Sequence, residues 1–243
     1  MKKLALLLLA LAAPSARAQT ILHDENTFRS PQHWALEVRF GPYSPDVDAE
    51  FQGAAEPPHY KYFLNKKKLL FQLELDYQFF HAFGSAAVGL QAGYFREGAQ
   101  SYDVQGIDRS GDHTALSLFP GAVQLVYRMD VPAKRLGIPL VPYAKAGLSY
   151  TYWRITDANG DTARGDDGSK GRGGTPGWQA AAGLAIMLDW IDPASARALD
   201  AETGVNHTYI FGEYAHYAAT GLGRKNALHV GDSTWSAGLM FEF

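Results

Sequence analysis

The stretch from Leu69 to Phe79 leaves this chain few ways to fold. Leu69, Phe71, Leu73, Leu75, Tyr77 and Phe79 alternate with Gln72, Glu74, Asp76 and Gln78. A period of two places one set on each face of a β-strand. Six large apolar side chains on one face need lipid or a packed core. Four polar ones opposite, two of them acidic, need water or partners. The pattern recurs. Trp34, Leu36, Val38 and Phe40 alternate with Glu37 and Arg39, and Ala86, Val88, Leu90, Ala92 and Tyr94 with Gly89, Gln91 and Gly93. Leu140, Ala144, Ala146, Leu148, Tyr150 and Tyr152 oppose Tyr143, Lys145, Gly147, Ser149 and Thr151. Trp178, Ala180, Ala182, Leu184, Ile186 and Leu188 oppose Gln179, Gly183 and Asp189. The chain closes on Trp235, Ala237, Leu239, Phe241 and Phe243, with Ser236, Gly238, Met240 and Glu242 between them.

Two further strands are weaker in phase. In Thr114 to Arg128, Leu116 and Leu118 sit on one parity and Val123, Leu125 and Tyr127 on the other, so Pro120-Gly121 is read as a bulge that shifts the register. The Tyr-rich segment His207 to Ala218 is the seventh strand. Eight strands result, with long connections after the first, third, fifth and seventh and short ones after the second and fourth. The connection from strand six to seven carries a short helix, with Asp192 at N-cap, Pro193 at N1 and Gly204 beyond its end. Arg96 to His113 reads as a polar loop, Met129 to Gly137 as a plain connection and Asp157 to Thr175 as a mobile, Gly-rich loop.

Met1-Lys2-Lys3, the apolar run Leu4 to Ala13 and Ala16-Arg17-Ala18 read as a secretory signal peptide over residues 1–18, leaving 19–243 as one domain. No later stretch reaches 18 apolar residues, so a spanning helix is excluded. A closed barrel remains, because it satisfies every backbone hydrogen bond between strands. The mean hydropathy of −0.19 excludes a helical bundle but suits a barrel with polar loops and lumen. The expected fold is an all-β, eight-stranded antiparallel transmembrane barrel with long outer loops, short periplasmic turns and the one helix on the periplasmic side. Trp34, Tyr77, Tyr94, Tyr152 and Trp178 fall near strand ends, where interfacial girdles lie.

The chain has no Cys, which removes disulfides and thiolate metal sites. Three of the 22 basic residues lie in the leader and none of the 25 acidic ones, leaving 19 against 25, a formal charge of −6. That charge argues against a nucleic-acid partner. Asp157-Ala158-Asn159-Gly160-Asp161 opens like a calcium loop but has Thr162 where an EF-hand needs Gly and Gly168 where it needs Glu. Arg164-Gly165-Asp166 is a tripeptide that arises by chance. His207, Glu213 and His216 have no nearby Ser in a triad-like position, and no nucleophile elbow, phosphate loop or metal cluster stands elsewhere. No catalytic residue, metal or cofactor is expected.

The inward set carries the candidate site. Glu37, Arg39, Glu74, Asp76, Arg128, Lys145, Asp189 and Glu213 place three basic and five acidic groups in a lumen only about wide enough for side chains. Such charges must pair or hold water. The expectation is a cross-barrel network, with pairings that depend on strand stagger. Lys66, Lys67 and Lys68 stand before a strand at the outer rim, where lipopolysaccharide phosphates or plain solvent would meet them. The final strand, with Trp235, Leu239, Phe241 and Phe243, resembles the C-terminal signal that the barrel-assembly machinery reads in outer-membrane barrels.

Glu37-Val38-Arg39-Phe40-Gly41-Pro42-Tyr43-Ser44-Pro45, Pro142-Tyr143-Ala144-Lys145-Ala146-Gly147-Leu148 and Met187-Leu188-Asp189-Trp190-Ile191-Asp192-Pro193 carry a resemblance. Gly204-Val205-Asn206-His207-Thr208-Tyr209, Glu213-Tyr214 and the terminal strand add to it. The chain resembles a family of uncharacterised outer-membrane β-barrel proteins of myxobacterial type. By strand count it is also similar to small barrels of the OmpA, OmpX and OmpW kinds. The resemblance implies residence in the outer membrane of a Gram-negative cell, in contact with lipid and lipopolysaccharide, and no assigned activity. The functional expectation is a structural or surface role through the outer loops, without an open pore. The alternatives are an OmpW-like conduit for small hydrophobic molecules and a lipid-A-modifying barrel.

Overall fold

The computed structural model describes residues 32–50, 59, 63, 66–102, 109–164, 168–224 and 227–243. The signal peptide expected over 1–18 therefore lies outside the described residues, as do Gly165 and Asp166 of the tripeptide.

Eight strands form: β1 (Trp34–Tyr43), β2 (Lys68–Phe80), β3 (Ser85–Tyr102), β4 (Arg109–Arg128), β5 (Leu140–Thr156), β6 (Arg172–Met187), β7 (His207–Ala218) and β8 (Asp232–Glu242). Each pairs antiparallel with the next, and β8 returns to β1, so the sheet is a closed barrel. The seam runs through Val38 opposite Leu239 and ends with Trp34 N–H donating to Phe243 O at 2.7 Å and Phe243 N–H to Trp34 O at 2.9 Å. Closure leaves no sheet edge within the wall.

The alternation read along each strand is the inside and outside of this wall. Leu73, Leu90, Leu125, Leu148 and Trp235 are among the outward residues, exposed by 41 to 70 %. Gln72, Glu74, Asp76 and Gln78 point inward and are sealed. A continuous apolar belt around a closed barrel is far larger than the patches water-soluble monomers carry, and hydrocarbon is the medium that accommodates it. The barrel is a membrane-spanning one. Aromatic rings mark the belt's borders. The Trp34 and Tyr77 rings meet at a tilt, 5.0 Å apart, at the lower end, which also holds the 81–84 turn and the β1–β8 closure. Tyr94, Phe119 and Tyr152 follow one another at 5.3 and 6.1 Å near the upper end.

The structure departs from the sequence reading in several elements; β6, for one, starts at Arg172, inside the segment read as a loop. β4 has a single phase. Pairing with β3 and β5 runs without a shift past Pro120-Gly121, from Leu118 opposite Phe95 and Trp153 to Gly121 opposite Ala92 and Tyr150. Leu116 and Leu118 are apolar yet point inward, because the upper lumen is itself apolar. Arg96 to His113 is mostly strand: β3 runs to Tyr102 and β4 starts at Arg109. A six-residue helix, α1 (Val131–Leu136), occupies the connection read as plain. It is too short to show a 3.6-residue period.

The second helix, α2 (Pro193–Thr203), stands where expected in the β6–β7 connection. Asp192 caps it by accepting from the N–H groups of Ala194 and Ser195, both at 3.1 Å, and Gly204 ends it in the left-handed conformation.

Candidate functional site

The lumen is filled in layers, set by which inward positions share a height. The lowest is mixed. Ala35, Val141, Met187, Tyr209 and Met240 pack together. Within that layer Glu242 accepts from Gln78 Nε2 and from Tyr209 Oη, each at 2.9 Å.

Above lies the ionic layer. Glu37 is its hub, accepting from Arg39 at 2.8 Å, Arg128 at 2.6 Å and Lys145 at 2.5 Å. Arg39 also reaches Glu213 at 2.7 Å and pairs with Glu74. Lys145 donates to Glu74 at 3.0 Å, and Arg128 pairs with Asp76. Glu213 takes two hydroxyls, Tyr143 Oη at 2.9 Å and Ser236 Oγ at 3.1 Å. Arg39 and Lys145 each lie 5.9 Å from the centroid of the Phe211 ring. Tyr143 reaches inward because residue 183 opposite is glycine; a side chain there would stand 2.6 Å from its ring and hydroxyl.

None of these seven charged side chains is more than 3 % exposed. Removing a charge from water costs several kcal/mol, and mutual attraction offsets this only where geometry and extra hydrogen bonds are good. The cluster is therefore weak evidence of high stability. Breaking one pair is costly all the same, since it leaves a buried charge without its partner.

A glutamine layer comes next. Gln179 Nε2 donates to Gln91 at 2.7 Å and to Gln124 at 2.8 Å, while Tyr217 Oη donates to Gln72 at 3.0 Å. The top layer is apolar, with Tyr43, Leu70, Phe95, Leu118, Tyr217 and Val230 in one cluster. Part of the β7–β8 loop folds into this mouth. Tyr43 Oη donates to Val230 O, and Thr175 Oγ1 donates to Leu228 O at 2.7 Å. The space left among these residues is about 10 Å³, the volume of roughly one water.

The structure brings together Glu37, Arg39, Glu74, Asp76, Arg128, Lys145 and Glu213, and sets Asp189 apart from them. β6 ends at Met187, so parity stops counting two residues before Asp189. There Asp189 takes His207 Nδ1 at 2.5 Å and the Thr208 N–H at 3.1 Å, below the barrel wall. Sequence reasoning passed over Tyr143, Ser236 and the glutamines as partners, although each sits on the inward parity. It also passed over Glu97, which lies buried 2.5 Å from His59 above the mouth.

Lys66, Lys67 and Lys68 are exposed at the upper rim; Lys67 stands 3.7 Å from Asp232. Trp235, Leu239 and Phe241 are on the outer face of β8, and Phe243 continues that face. His216 meets Ser233 at 2.6 Å near the top of β7, whereas His207 holds Asp189 at its foot, so the two histidines do not share partners. Asp157 Oδ1 accepts from the N–H groups of Asn159 and Asp161, each at 3.0 Å, in a local turn.

No protein-family model matches the sequence, and no curated protein matches it; the resemblance to a myxobacterial-type family finds no support there. Solved structures similar to this chain are small outer-membrane barrels. The N-terminal β-barrel domain of OprF from Pseudomonas aeruginosa shares 16 % identity over 87 % of this chain and 98 % of its own, with a TM-score of 0.44. Neisserial surface protein A shares 12 % over 87 % and 97 %, with a TM-score of 0.45. OprG from Pseudomonas aeruginosa shares 16 % over 88 % and 97 %, with a TM-score of 0.43. The closed barrel of this chain rests on its own strand pairing.

Proposed function

We propose that this chain is a structural or surface-interaction protein of the bacterial outer membrane that works through its upper loops and opens no pore. The observation that carries the reading is the filled lumen. An apolar layer, a glutamine layer and an ionic layer lie in series, and a water-filled channel has no room among them. The assignment of the upper end to the cell surface follows barrel architecture, in which long loops face outward and short turns face the periplasm. A conduit for hydrophobic molecules would need a lateral opening or an apolar bore, and the ionic layer crosses the bore. Lys66, Lys67 and Lys68 supply positive charge where lipopolysaccharide phosphates would lie. The outer face of β8, ending in Phe243, is the surface we assign to the barrel-assembly machinery.

Planar-bilayer recording of the reconstituted protein tests the closed lumen, and the expected trace is free of steady channels. Large stable currents would overturn the reading. Lipopolysaccharide binding by the purified protein is expected to weaken, and to depend less on salt, when all three lysines are changed to Gln.

A further inference from the structure

The ionic layer does not balance. Glu37, Glu74, Asp76 and Glu213 bring four negative charges, while Arg39, Arg128 and Lys145 bring three positive ones. The surplus has an address. Glu74 uses Oε2 for Lys145 and Arg39, and Asp76 uses Oδ2 for Arg128. Glu74 Oε1 and Asp76 Oδ1 are buried and accept no hydrogen bond from the protein. Both turn toward the same spot: a side-chain carbon on residue 89 would collide with Asp76 Oδ1 and stand 2.8 Å from Glu74 Oε1. Residue 89 is glycine, paired across the sheet with Asp76 on one side and Gln124 on the other. The missing side chain lets two carboxylate oxygens converge. Glu37 lies close by, and the three acidic groups can each offer an oxygen within 4.8 Å of the others.

Two converging carboxylate oxygens sealed from water, with one negative charge in excess, suit a hard cation bound through oxygen. The charge count selects its valence. Within these seven side chains a divalent ion would overshoot, a neutral water would satisfy the oxygens but leave the surplus, and a proton would remove the surplus without dependence on the salt. We propose that Glu74 and Asp76, over Gly89, hold one monovalent metal cation of sodium or potassium type inside the barrel. The ion completes the ionic layer and belongs to the folded state only, because only the closed barrel buries these two carboxylates and turns their unpaired oxygens to one spot. Folding is then linked to the cation by mass action.

The test refolds the full barrel into detergent micelles, free of lipopolysaccharide, in sodium, potassium or choline chloride at equal ionic strength. Choline is too large for the lumen and serves as the inert salt. The expected result is a higher unfolding midpoint in sodium or potassium than in choline. Glu74→Gln removes the surplus charge and one of the two oxygens, and should erase the difference between the salts. Asp76→Asn should do the same if Glu74→Gln fails to fold. Equal wild-type midpoints in all three salts would mean that water or a proton, and no metal ion, occupies the site, and would overturn the proposal. So would a salt difference that survives in both variants.

Discussion

Leu73 and Gln72 are adjacent on β2 and face different surroundings, one the apolar belt and the other the lumen. Leu73→Arg puts a charge into hydrocarbon and is expected to cost about 2–4 kcal/mol near the bilayer midplane. Gln72→Arg loses the Tyr217 hydrogen bond, worth about 1 kcal/mol, and crowds a filled lumen. Urea unfolding in vesicles of two thicknesses separates the two. The Leu73→Arg penalty should shrink in the thinner bilayer, where the guanidinium reaches the interface, and the Gln72→Arg penalty should not move. A penalty for Leu73→Arg that ignores thickness would contradict the assigned face. Residues of this kind were legible in the sequence, because parity within a strand decides facing. Asp189 was not. Parity holds only while the chain stays in the sheet, and hydrogen bonding, not composition, ends β6 at Met187. The pairings around Glu37 were also hidden, since they join β1 to β4 and β5 through a stagger that no single strand encodes.

Among the elements, α2 offers a pH-dependent measurement. The Ser195 side chain, followed by its backbone N–H, holds the Asp192 carboxyl below its ordinary value. A depressed folded-state value means the cap contributes fully above the unfolded value and is lost as pH falls through the folded one. Amide exchange at Ala194 and Ser195 should therefore speed up as pH is lowered through the acid range, relative to the intrinsic rate. Asp192→Asn keeps a capping oxygen without a titrating charge, and should flatten that dependence. An unchanged profile in Asp192→Asn would count against the cap. This helix was readable because Asp, Pro and Gly mark its ends. The phase of β4 was misread for the opposite reason: Leu116 and Leu118 looked outward-facing because they are apolar, and the sequence does not announce that the upper lumen is apolar too.

At the scale of the molecule, the strand count and the closed architecture were legible because each strand carries its own period of two. The filling of the mouth by Leu228 and Val230 was not, because it depends on where a long loop lands. The whole-molecule prediction is that the protein sediments with outer membranes and runs at different positions on gels before and after boiling, as a closed barrel that resists detergent would. Recovery in the soluble periplasmic fraction would overturn it.

The partners of the ionic layer lie far apart along the chain. Arg39 meets Glu213 across 174 residues, and Glu37 meets Lys145 across 108. A half-built wall of β1 to β4 would hold Arg39 without Glu213 and Glu37 without Lys145. The charges it does hold, Glu37, Arg39, Glu74, Asp76 and Arg128, would then face hydrocarbon, where each is costly. The order of events in biogenesis is thereby constrained: the first strands cannot cross the bilayer and wait for the last. Closure must accompany or precede insertion, making the transition cooperative and, given its non-local pairings, slow.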